Sequence, residues 1–183
     1  MDSFRIGSSG GLSGLRPQHL KDCLSRRTGE SGKQILFRLT DLVNAVLAGD
    51  VAEAVRPVFV GASLTAFNKK GGGIRPIAVG NTLRRLSAKC ATRSVCNFSE
   101  VFAPAQLGFG VRGGAEAAAH AGRSFARTAG TGDVLLKLDF KNAFNSMRRD
   151  HVAECLVEHA PQLLPFTAYA MRSPLSCLLA TSI

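Results

Sequence analysis

The chain predicts an α+β fold, and three local patterns carry that prediction. Ile35, Leu36, Leu39, Leu42, Val43, Val46 and Leu47 recur at helical spacing, one apolar stripe of an amphipathic helix. Two short β-type runs, SLTAFNKK and IRPIAVG, flank Gly71, Gly72 and Gly73, as in a hairpin whose turn needs positive φ. The run VLLKLDF, from Val134 to Phe140, is continuous and apolar enough for a buried strand. At 183 residues and 45% hydrophobic, the chain has material for about one domain with a real core.

The elements follow in order. Residues 1–32 are rich in Gly, Ser and Arg, which predicts a partly flexible, frayed start and a short helix near Gln18–Leu24. The amphipathic helix comes next, with Gly49 where a C-terminal cap belongs. In the hairpin, Pro76 has no N–H for a ladder, so its strand belongs at a sheet edge. A second helix is predicted from about Asn81 to Phe98. Leu83, Leu86 and Cys90 line one side, and Arg85, Lys89 and Arg93, four apart, form a basic stripe on another. QLGFGVRGG is a glycine-rich loop, and the alanine-rich AEAAAHAGRSFAR after it predicts a helix. Gly130 to Gly132 break the chain before VLLKLDF, and a last helix covers roughly Arg149–His159.

Composition excludes several classes. No run of about 18 apolar residues is present to span a membrane, and MDSFRIGSSGG has no signal-peptide core. The five cysteines are odd in number and show no CxxC spacing, which argues for reduced thiols and an intracellular protein, nucleus or cytoplasm undecided. His19, His120, His151 and His159 show no metal-ligand spacing.

Charge points further. Lys and Arg total 23 against 13 Asp and Glu, a net charge of +10. Between Glu53 and Glu100 there is no acid at all. That window holds Arg56, Lys69, Lys70, Arg75, Arg84, Arg85, Lys89 and Arg93. A solvated face mixes both signs, so this window predicts a polyanionic partner.

Asp139 has competing readings on local grounds. Asp139, at the end of the predicted strand, is placed either to cap the next helix or to hold a hard cation such as Mg²⁺. Phe144 on local grounds is core packing. Gly108, Gly110 and Gly113 also satisfy GxGxxG, with Asp133 twenty residues on. SEVFAPAQL before them carries Pro104 and no strand pattern, so a dinucleotide fingerprint lacks its context.

The surrounding segments decide the balance. LLKLDFKNAFNSMRRDH resembles the first catalytic motif of reverse transcriptases. LTAFNKKGGGIRPIAVGNTLRRLSAK resembles the fingers hairpin and following helix of the same enzymes. QLGFGVRGGAEAAAH and GLSGLRPQHLKD resemble two further blocks of non-LTR retrotransposon polymerases, in the same order and spacing. The resemblance covers about residues 10–183. It implies the fingers and partial palm of a right-hand polymerase: residues 33–130 as a fingers-like region and 131–183 as the start of the palm. It implies RNA-directed DNA polymerase chemistry, a nucleotidyl transfer with RNA template, DNA primer and deoxynucleoside triphosphates as partners and Mg²⁺ as cofactor.

Residue roles carried over from the resemblance are these. Asp139 binds the catalytic magnesium, helped by the backbone carbonyl of Phe140. Phe144 is the gate against the ribonucleotide 2′-OH. Arg75, with Lys69 or Lys70, grips the triphosphate. Arg85, Lys89 and Arg93 contact template or primer phosphates. The family's later glycine motif, paired aspartates and thumb have no counterpart here, and no Asp or Glu follows Glu158. The expectation is therefore an N-terminal fragment of the enzyme, inactive alone. The alternatives are a non-catalytic nucleic-acid-binding module and a degenerate retroelement copy without a stable product.

Overall fold

The structure is a computed structural model. It describes residues 3–68, 70–95, 100, 102, 104–141, 143, 146–172 and, for the backbone, 177–179. The chain divides into two compact units, Met1–Val95 with Arg149–Ile183, and Cys96–Arg148. Helices and a sheet together make it an α+β protein.

In the first unit, helix α1 spans Pro17–Cys23, opening on a proline whose missing N–H costs nothing at that position. Helix α2 runs Gly29–Ala48, longer at its start than its apolar stripe predicts. Gly49 ends it in the left-handed region at φ 75°, the conformation that lets the following amides reach back to the carbonyls of Ala45 and Val46. Helix α3, Arg56–Val60, precedes the hairpin.

Strands β1, Ala62–Asn68, and β2, Ile74–Gly80, form the predicted antiparallel hairpin, with Ala62 opposite Gly80 and Asn68 opposite Ile74. Gly72 and Gly73 both take φ 87° in the turn. The sheet order is β2-β1-β3, with β3, Cys177–Leu179, parallel to β1. β2, which holds Pro76, is thus an edge strand, as the missing donor requires. Helix α4, Thr82–Ser94, follows at once, and the Asn81 side chain caps it by accepting from the Leu83 amide at 2.9 Å. Helices α6, Arg149–His159, and α7, Leu164–Met171, complete the unit. Its core has two clusters: Phe4, Leu20, Val43 and Leu86, and Val46, Phe59, Val60 and Tyr169. Successive turns of α2 supply Val43 to one and Val46 to the other.

The start of the chain differs from its expectation. Phe4 is only 4% exposed, packed in the first cluster rather than frayed. One aromatic side chain gives a Gly- and Ser-rich segment enough apolar surface to dock.

The second unit holds helix α5, Gly114–Thr128, where the alanine-rich run predicts it. Phe102 and Phe109 meet edge to face at 6.0 Å. Val134–Phe140 departs from its predicted buried strand. These residues form no strand, and Val134 and Phe140 are 78% and 71% exposed. A central strand exists only through neighbouring strands and covering layers. None of the described residues pairs with this one.

Candidate nucleic-acid interface

The acid-free window folds into the hairpin and α4, so sequence neighbours become one hairpin–helix unit. On the hairpin, Arg75 lies directly across from Phe67, and Ile77 follows on the same face two residues on. All three are exposed, as is Lys70 in the turn. Lys69 lies outside the described residues. The site therefore offers a guanidinium, an aromatic face and an aliphatic patch on one surface.

On α4 the predicted stripe splits. Arg93 is exposed. Arg85 and Lys89 are half-buried, one turn apart, and both turn to the N-terminal segment. Arg85 Nη1 donates to the Ser9 carbonyl at 2.6 Å, and Lys89 Nζ donates to the Ser3 carbonyl at 3.4 Å. The ring of Phe4 lies beneath both cations, 5.2 Å from Arg85 Cζ and 5.1 Å from Lys89 Nζ. Lys21 of α1 donates to the Phe4 carbonyl at 3.3 Å. Arg84 is half-buried and packs over Gly80, where a Cβ would collide with its guanidinium. Burial, with Arg85 beside it, lowers its affinity for the proton below the ordinary arginine value.

Arg56 belongs to the window by sequence but not to its surface. It is 6% exposed. Its Nε donates to the Tyr169 carbonyl at 3.0 Å, its Nη1 pairs with Glu53 at 3.5 Å, and its Cζ sits 5.7 Å from the Tyr169 ring centroid. A guanidinium is buried only where its donors are met, and α3 places it where a carbonyl, a carboxylate and a ring do so. Its charge is thus committed to the fold. Phe4 and Lys21 give no signal in the charge pattern: one is uncharged and the other lies outside the acid-free window.

Asp139 and Phe140 belong to the second unit, in the exposed run. Phe144 lies outside the described residues. Among the described residues no group of three or more His, Cys, Asp or Glu side chains converges as a metal site. Magnesium takes several oxygen donors in near-octahedral order, and one exposed carboxylate with a neighbouring carbonyl does not make that set. The donors among the described residues do not by themselves fit a two-metal centre. Asp133, the acid of the glycine fingerprint, instead closes its own turn by accepting from the Gly130 amide at 2.8 Å.

Among the described residues no helix is long and apolar enough to cross a membrane, and Cys23, Cys90 and Cys155 are free thiols. No protein-family model, curated protein or solved structure matches the chain.

Proposed function

We propose that this chain is the fingers and first palm segment of a non-LTR retroelement reverse transcriptase, and that its own task is to hold nucleic acid. The hairpin–helix unit built from the acid-free window carries this reading. It presents Lys70, Arg75 and Arg93 to solvent with no acid between Glu53 and Glu100 to neutralise them. The four ordered sequence blocks supply the family. In this reading RNA template and DNA primer bind along the hairpin and α4, and deoxynucleoside triphosphate phosphates meet Arg75 with Lys69 or Lys70. Asp139 and the Phe140 carbonyl are assigned to a metal centre whose further donors the described residues do not supply. In this reading Phe144 is the sugar gate.

A second reading, a nucleic-acid-binding module without catalysis, rests on the same acid-free window between Glu53 and Glu100. Both readings require sequence-indifferent binding that weakens steeply with salt, because bound phosphates release counterions. Replacing Arg75 and Arg93 together by Ala should weaken binding and reduce the salt slope by about one for each phosphate no longer neutralised. An unchanged slope in a folded variant rejects the hairpin–helix surface. Primer extension on RNA separates the two readings: joining the chain to the remainder of a palm should give activity that Asp139→Ala abolishes. Activity surviving that substitution rejects the metal assignment.

A further inference from the structure

We propose that residues 3–9 form a strap that competes with nucleic acid for the basic face of α4. The inference rests on the phosphate-binding reading above and adds a regulatory contact to it. Among the described residues the strap meets Arg85 and Lys89 with neutral groups: the carbonyls of Ser3 and Ser9 and the ring of Phe4. Lys21 adds a third cation on the Phe4 carbonyl. A carbonyl or a ring face holds a cation less strongly than an anion does, because an anion adds the attraction of a full opposite charge to the same hydrogen bond. Phosphate oxygens would therefore be better partners for the same two side chains.

The strap is also built to release. Its root is fixed: Thr82 donates to the Leu15 carbonyl, and Gly10 and Gly11 press on the backbone of Gly14–Leu15 and Val79–Gly80, where no Cβ fits. Beyond the root, Gly7 sits at φ 80° in open space, and the Ser8 amide closes only a local turn onto Arg5. Phe4, set among Leu20, Val43 and Leu86, is the latch. Opening the strap costs the burial of one ring and the hydrogen bonds of Arg85, Lys89 and Lys21 to its carbonyls, and it frees two cations that lie one helical turn apart.

The test measures binding of a fluorescein-labelled oligothymidylate to the full chain and to Phe4→Ala and Phe4→Leu. Leucine keeps apolar bulk in the cluster but has no ring face for the cations, so it carries the test if alanine unfolds the chain. If the strap masks the site most of the time, releasing it raises affinity by about threefold to tenfold. The gain should vanish when Arg85 and Lys89 are already Ala. In the unsubstituted chain, oligonucleotide should speed tryptic cleavage after Arg5. Equal or weaker binding by a folded Phe4 variant, or cleavage after Arg5 that oligonucleotide leaves unchanged or slows, overturns the strap while the Arg75 and Arg93 result stands. No binding by any of the chains overturns the phosphate-binding reading and the strap with it.

Discussion

The two units of this chain use their apolar residues in opposite ways. Met1–Val95 with Arg149–Ile183 buries Phe4, Val46, Phe59, Val60 and Tyr169 in two clusters joined by α2. In Cys96–Arg148, Gly114 alone among the described residues is buried, while Val134, Leu135, Leu136, Leu138 and Phe140 stand exposed. Apolar content does not separate them; partners do. Hydrophobic stabilisation follows the area removed from water, so a run as apolar as VLLKLDF contributes nothing to folding until something covers it.

The widest separation should come from one substitution made in both units. Phe59 is 6% exposed and Phe140 is 71% exposed. Phe59→Ala should cost about 3–5 kcal/mol through lost burial and a cavity. Phe140→Ala should stay within about 0.5 kcal/mol, as surface changes do. Denaturant midpoints of the two variants check this. A loss at Phe140 matching that at Phe59 would show the run packed in solution and break the contrast.

Why one unit was legible and the other less so follows from the range of the signals. The cap at Gly49, the Gly71–Gly73 turn, the Asn81 helix start and the α6 boundaries are decided within a few residues, and the structure places each where the sequence does. Pro76 reported its edge position by lacking a donor. A buried strand at Val134–Phe140 is a claim about other strands, which periodicity does not contain. Arg56 shows the same limit in the site. As a letter it is one more base in an acid-free window, and only the fold brings Tyr169, 113 positions away, over it. Docking of Phe4 onto Arg85 and Lys89 likewise joins residues too far apart for any spacing rule.

The two units also differ at a helix start. α4 opens under the Asn81 side chain, whereas α5 opens after Gly113 at φ 70° with no side-chain cap. Asn81→Ala should therefore cost about 1 kcal/mol. The loss should appear as a lower melting temperature of the cooperative transition, since Asn81 and α4 belong to the unit that holds the core. If Asn81→Ala only frays local helix signal and leaves the melting temperature unchanged, α4 is not integral to that core.

The smallest effect lies inside the better-packed unit. The buried Tyr169 hydroxyl finds no hydrogen-bond partner among the described residues. An unpaired buried polar group is a cost, so Tyr169→Phe should leave stability at neutral pH unchanged or raise it by up to about 1 kcal/mol. Its titration gives a second check. Burial raises the phenol above its ordinary value of 10.0; Arg56 opposes that shift and Glu53 adds to it. A raised folded value means that the neutral phenol's contribution is complete below the unfolded value. It is lost as pH rises from about 10 through the folded value, because there the unfolded state has released its proton while the folded state retains it. Tyr169→Phe should remove this part of the alkaline decline. The chain has one Tyr and no Trp, so the ultraviolet change of phenolate formation reads this site alone. A phenol that titrates at or below its ordinary value, or a Phe variant that loses several kcal/mol, would mean that the hydroxyl has a partner and that this core is held by more than apolar packing.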